Sequence, residues 1–244
     1  MKKKTGRRAG LAAVLLMTMI LAMTASAADT GKDNKAVKKT GVVTEGGKTS
    51  IYTKAGKQVK GVPAYKIKVD GKTCYYTIDK KGNATKLSGL EQMAAKRLVA
   101  QKAGGKKSKK NLKKAFRWSA KLKYRSNTRK LKGKKAAEYY GKYGFKNRMG
   151  DCNTAAYTFY WMAKVLGYSP KVVQGHVPSG SINNLKNHTW VTIKIKKTTY
   201  YFDPDFNRSY RGKTVRTRSG MKTLGKDCGF MFKYGTPGTY MYKK

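Results

Sequence analysis

Acidic residues are scarce in this chain of 244 residues: 11 Asp+Glu stand against 56 Lys+Arg, a formal net charge of +45. Cysteine is scarcer, at three, and there are two histidines. Three cysteines in a chain of this length cannot staple a disulfide scaffold. Scattered without paired ligand spacing, the Cys and His residues also exclude a zinc module, so no metal or other cofactor is expected. The one long apolar run lies at the N-terminus, which excludes a membrane protein of several spans. Hydrophobic residues at 39% and aromatics at 11% are few but suffice for one core. Length allows one or two domains.

The N-terminus reads as an address. Lys2, Lys3, Lys4, Arg7 and Arg8 form a positive region, Leu11 to Met23 is nearly all apolar, and Ala25-Ser26-Ala27 supplies the small residues a signal peptidase reads. The apolar run falls short of the roughly 20 residues a spanning helix needs. Residues 1–27 are therefore expected to be a cleaved secretory signal, with no stable transmembrane anchor. Removing five of the 56 basic residues and none of the 11 acids leaves a mature net charge of +40. Such a field attracts polyanions. For an exported protein these are anionic wall polymers, lipid head groups and extracellular nucleic acid. No helix-turn-helix, zinc finger or RNP-type motif accompanies the charge, so sequence-specific nucleic-acid binding is not expected.

Residues 28–40 are polar and read as a flexible leader. Residues 41–89 read as short strands and turns. Asp70-Gly71 sits between the alternating stretches Tyr65–Val69 and Lys72–Ile78, a hairpin signal. Gly47-Lys48-Thr49 with Tyr52 and Gly56 echoes Gly71-Lys72-Thr73 with Tyr76 and Gly82. On these residues the segment resembles the glycine-and-aromatic hairpin repeats of bacterial cell-wall-binding modules, without the tryptophans those repeats use for choline. Ser88-Gly-Leu-Glu91 is a capping-box pattern opening a helix through Gln101. Ser108 caps a second helix carrying Leu112, Phe116, Trp118 and Leu122, and a third runs through 134–143.

The chemistry concentrates in residues 150–205. Gly150-Asp151-Cys152 precedes a helical pattern closed by Gly167, so Cys152 falls in the first turn. There the unpaired N–H groups and the helix dipole stabilise a thiolate. A buried structural cysteine is the plainer alternative. Lys171–Gln174 reads as a strand. Pro178 to Asn187 reads as a polar loop, in which Gly180 and Asn183-Asn184 could gate a substrate. His188–Ile195 alternates as a strand, Lys196-Lys197 turns, and residues 198–205 return. Pairing across that turn sets Asp205 opposite His188 and Asp203 opposite Trp190, diagonal to His188, so either carboxylate could reach the imidazole. A shift of one residue would point both to the other face. A helix-terminal thiol, a strand histidine and a hairpin-linked carboxylate form a nucleophile, base and orienter. The Cys152 N–H could serve a tetrahedral oxyanion; no second donor is assigned. His176 lies near the cleft and reads as structural. Export would permit a Cys74–Cys228 disulfide and leave Cys152 free.

Gly150-Asp-Cys152 before a helix, Asn187-His188-Thr-Trp190-Val191 on a strand and Tyr200-Tyr-Phe-Asp203-Pro204 ending the next resemble the core of the transglutaminase-like superfamily. The upstream Phe116-Arg-Trp118…Tyr124 resembles the helix and extended segment before that core, which would span about 110–206 within a domain over 90–244. The resemblance implies an α+β, papain-like fold with the cysteine-bearing helix packed on an antiparallel sheet. It also implies acyl transfer through a thioester, with Cys152 as nucleophile, His188 as base and Asp203 as orienter. Thr189 stands where the family has alanine, on the opposite strand face from His188. The expected partner is a protein or peptide substrate bearing a Gln side chain, amide or peptide bond, with anionic cell-wall polymer as a second candidate. The expected setting is the surface or wall of a bacterium. A non-catalytic cationic protein holding wall polymer on the same fold, or a nonspecific binder of extracellular nucleic acid, are the rivals.

Overall fold

A computed structural model describes residues 38–127, 129–179, 181–217 and 220–233. Residues 1–27, expected to be a signal, and most of the expected leader lie outside the described residues. Among the described residues, no helix is long and apolar enough to cross a membrane.

Two short hairpins come first. β1 (Gly41–Glu45) pairs with β2 (Lys48–Tyr52), and β3 (Val62–Val69) pairs with β4 (Lys72–Ile78), which β5 (Ala84–Lys86) joins as a third strand. Their turns explain the sequence echo. Glu45 opposes Lys48 across Gly46-Gly47, and Val69 opposes Lys72 across Asp70-Gly71. All four turn residues have positive φ, as a two-residue turn matched to strand twist requires. Ile51, Cys74, Tyr76 and Ile78 form a small buried cluster beneath these strands. Ala64, Tyr75 and Leu87 face the other way and join the main core.

Three helices follow: α1 (Gly89–Ala100), α2 (Lys109–Ser119) and α3 (Gly133–Asn147), with the short β6 (Lys123–Tyr124) between the last two. The Ser108 hydroxyl accepts from the Asn111 N–H at 3.2 Å, capping α2 as expected. Leu112, Ala115, Phe116 and Ser119 make its buried stripe, at the spacing of one helix face. The capping box at Ser88 does not form. Ser88 holds the N-cap position without a side-chain hydrogen bond, and Glu91 instead pairs with Lys164 at 2.9 Å.

β7 (Met149–Gly150) runs parallel to β6 and leads into α4 (Cys152–Val165). Nine of the 14 residues of α4 are buried, which makes it the axis of the fold. It packs against α1, α2 and α3. The α3 contact is close because Gly141 and Gly144 lie against Trp161, Thr154 and Thr158. A three-stranded antiparallel sheet covers α4 from another side, in the order β10-β9-β8. Its strands are β8 (Pro170–Ser179), β9 (Ser181–Ile195) and β10 (Thr198–Phe202). Phe202 and Phe159 stack at 5.3 Å between sheet and helix, and Phe116 meets Phe159 edge-on at 5.6 Å. The chain ends its described part with α5 (Pro204–Tyr210), the hairpin β11 (Thr214–Thr217) and β12 (Gly220–Thr223), and a segment to Lys233.

The expected loop is corrected. The stretch 178–187 is no free loop: Pro178 pairs with Leu185, Val177 with Lys186 and His176 with Asn187, so β8 and β9 extend as one hairpin arm that includes Asn183 and Asn184. The polar composition concealed this because an arm projecting beyond the core needs no apolar alternation. Gly180 lies outside the described residues. All three cysteines are free thiols, so the disulfide that export would permit is not formed. Cys74 is packed in the small cluster, whereas Cys228 lies 3.7 Å from the Asn207 side chain beside α5.

Gly150 carries a local constraint. Its φ is +151°, and a Cβ there would overlap the Thr154 side chain. Gly150→Ala is expected to cost about 2–4 kcal/mol through backbone strain and overlap. Thermal unfolding should show a fall of roughly 5–10 °C; an unchanged melting temperature would contradict the reading.

Candidate active site

The N-terminus of α4 presents the thiol. The Asp151 carboxylate accepts from the Thr154 N–H at 3.0 Å and from the Thr154 hydroxyl at 3.2 Å, fixing the first turn. Cys152 takes the first helical position and is partly exposed. β9 brings His188 alongside, with an imidazole nitrogen within 4.8 Å of the Cys152 thiol. A thiol, an imidazole nitrogen and an Asp205 oxygen, all within 4.8 Å of one another, also form a set that a metal ion could bridge.

The hairpin register matches the expectation from the turn. Thr198 pairs with Ile195 and Phe202 with Val191. Pairing stops at Phe202 because Asp203-Pro204 opens a helix. Asp203 is the N-cap of α5: its Oδ1 accepts from the Phe206 N–H at 2.9 Å, and Pro204 occupies the first turn, where a missing N–H costs nothing. Its Oδ2 lies 2.7 Å from His188 Nε2. One fully buried carboxylate thus serves the helix and the imidazole together. Asp205 approaches from the other side, its Oδ2 3.9 Å from His188 Nδ1, beyond hydrogen-bonding distance. The structure brings Cys152, His188 and Asp203 together and selects Asp203 over Asp205 as the direct partner of the ring.

Burial alone would lower the proton affinity of His188, but the adjacent Asp203 carboxylate, by charge and hydrogen bond, overrides it and raises the pKa well above the usual value. Asp205 is pushed up by burial, against the pull of the Arg208 guanidinium bonded to it. Burial moves the Cys228 thiol to about 11, so that cysteine stays protonated at neutral pH.

Several supports carried no signal that motif reading could find. Arg208 donates to the carbonyls of Leu122 and Gly150, both at 3.0 Å, tying α5 to the strand that delivers Asp151 and Cys152. The Asp203 N–H donates to the Gly229 carbonyl at 2.8 Å, so the C-terminal segment braces the carboxylate. Arg117 in turn grips Asp227 through two bonds of 2.7 and 2.6 Å. Asp-Pro could have disclosed the α5 cap; the rest depends on long-range packing.

Thr189 is not remote from the site. It is buried, and its hydroxyl donates to Asn153 Oδ1 at 2.7 Å, pinning the residue after the nucleophile. Gln174 Nε2 approaches the same oxygen at 3.4 Å. His176, expected to be structural, lines the cleft above them. That cleft, of about 490 Å³, has Cys152, Asn153, His188 and Thr189 along one part of its lining and the segment 129–132 along another.

An α+β fold in which a helix-terminal thiol, a strand imidazole and a helix-capping carboxylate converge presents the nucleophile, base and orienter of a cysteine enzyme. Residues 92–204, just under half of the chain, match the family profile of the Transglutaminase-like superfamily. The chain matches none of the curated protein sequences. Several solved structures are similar to it, three of them as follows. A proposed cysteine protease from Cytophaga hutchinsonii shares 15% identity with a TM-score of 0.35, over 48% of this chain and 39% of that one. Arylamine N-acetyltransferase C from Bacillus anthracis shares 16% at 0.36, over 64% and 68%. An arylamine N-acetyltransferase from Bacillus cereus with a Cys-His-Glu catalytic triad shares 14% at 0.34, over 55% and 58%. The chain thus spans 39% of the length of the first of these.

Proposed function

We propose that this chain is an exported thiol enzyme that transfers or hydrolyses acyl groups at Gln side chains or at amide and peptide bonds, with Cys152, His188 and Asp203 as its triad. The observation that carries the reading is the 2.7 Å bond from His188 Nε2 to a fully buried Asp203, on a ring whose other side meets the Cys152 thiol. His188 takes the thiol proton, and Cys152 Sγ attacks the amide carbonyl. The tetrahedral oxyanion faces the N–H groups at the start of α4, the donors that position supplies. Collapse breaks the C–N bond, His188 returns its proton to the departing ammonia or amine, and a thioester remains. Water or a second amine, deprotonated by His188, then attacks the thioester and restores the thiol. Asp203 holds the ring orientation and favours the imidazolium throughout. The signal-like N-terminus and the basic charge support a surface or wall setting.

The test is mass spectrometry after brief exposure to iodoacetamide, paired with an assay of amine incorporation and ammonia release on glutamine-bearing proteins. Cys152 should alkylate at least about tenfold faster than in denatured protein, and His188→Ala should abolish the difference. Equal rates folded and denatured, with neither incorporation nor release, would end the reading.

A further inference from the structure

The cleft has a charged side that the triad does not use. Arg129, Lys130 and Lys132 line it together with Cys152 and His188, and among the described lining residues none is acidic. In a chain this basic, exposed lysines are ordinarily a solvated face, so the question is whether this stretch is held in place. It has no regular secondary structure, yet it is fastened at both ends. The Tyr140 hydroxyl donates to the Arg129 carbonyl, and Gln174 Nε2 donates to the Leu131 carbonyl at 3.3 Å. The Arg129 N–H donates to Asn127 Oδ1 at 3.1 Å, and its guanidinium lies 4.7 Å over the Tyr139 ring. Leu131 packs on the cluster of Ala136, Tyr140 and Tyr157. Backbone anchors on both sides of Lys130 fix the segment, so three cation-bearing residues border the cleft on a backbone that is already ordered.

Resting on the acyl-transfer reading above, we propose that the acyl donor is an acidic peptide, whose carboxylates flanking the reactive amide dock on Arg129, Lys130 and Lys132. A fixed row of cations bordering a cleft concentrates anionic ligands and orients them before chemistry. Neutral or basic sequences around the same amide lack that partner, and basic ones are repelled.

Two measurements separate this inference from the function it rests on. The first is fluorescence anisotropy with the Cys152→Ala protein, which binds without turnover, and short labelled peptides carrying one central glutamine between glutamates or between serines. The glutamate peptide should bind at least about tenfold more tightly at low salt. The triple change Arg129→Gln, Lys130→Gln, Lys132→Gln should remove most of that preference, whereas Lys66→Gln, Lys68→Gln, Lys72→Gln, an equal charge loss on the exposed hairpin, should leave it nearly intact. The second, on the protein with Cys152 present, is the ratio of alkylation rates with anionic iodoacetate and neutral iodoacetamide. It should fall about fivefold or more in the cleft triple variant, with the iodoacetamide rate held within about twofold. Equal losses in the two triple variants, or no preference for glutamate in the parent, would overturn the proposal in favour of a diffuse surface field. Fast iodoacetamide alkylation in the same samples would leave the function standing. Failure of that alkylation would remove the function, while the anisotropy still decides whether the cleft holds acidic peptide.

Discussion

Cys152→Ala is expected to lower the rate of acyl transfer by about four orders of magnitude or more, while leaving the fold intact. The magnitude follows from what the thiol does. Without a nucleophile no thioester forms, and only direct attack by water within the cleft remains, assisted by oriented N–H donors. The fold should survive because Cys152 is partly exposed at the first position of α4, where the cap is made by Asp151 and Thr154. Steady-state kinetics on a glutamine-bearing protein, with circular dichroism as the folding control, would check both parts. Activity within tenfold of the parent would exclude the thiol as nucleophile.

Asp203→Asn is the second large effect, expected at about 10²–10⁴-fold in rate. Asn also caps helices, so the bond to the Phe206 N–H can be kept and the change acts on the imidazole. With the carboxylate gone, burial becomes the dominant influence on His188 and drives its proton affinity down. In the parent, the Asp203 carboxylate raises the proton affinity of His188 and favours the imidazolium that protonates the leaving amine, so turnover should extend toward the alkaline range. In Asp203→Asn the alkaline limb of the pH profile should move to lower pH. Stability follows the same sign. The folded proton affinity of His188 exceeds the unfolded one, so the pair's contribution is complete below about pH 6.5 and is lost as pH rises through the folded value. The Asn variant should therefore lose more stability relative to the parent at pH 6 than at alkaline pH. Asp205→Asn is the comparison, because Asp205 Oδ2 sits 3.9 Å from the ring. A larger rate loss at 205 than at 203 would reverse their assigned roles.

The sequence made the triad visible because each member sits in a local pattern: a glycine and aspartate before a helical run for Cys152, an alternating strand for His188, and the turn at Lys196-Lys197 for the register. That register, with Thr198 opposite Ile195, was calculable from turn length alone. What the pattern left undecided was which carboxylate meets the ring. Strand geometry treats Asp203 and Asp205 as near equals, and only the helix beginning at Pro204 turns one toward Nε2. The cap at Ser88 failed for a different reason: Glu91 found a cation on another helix, a partner no local window contains. The Thr189 hydroxyl reaches Asn153, a contact with α4 that strand alternation alone does not disclose. The anchoring of the segment 129–132 was not legible, since its anchors are backbone carbonyls, which leave no trace in residue type.

The double duty of Asp203 bears on how relatives of this chain should be read. A descendant that abandoned chemistry would still need a side-chain acceptor at the start of α5, which asparagine, serine or threonine can supply as well as aspartate. The sulfur and the ring face no such demand. Across any set of related sequences, a capping residue at this position therefore reports architecture alone, and the paired presence of thiol and imidazole is what separates working copies from silent ones.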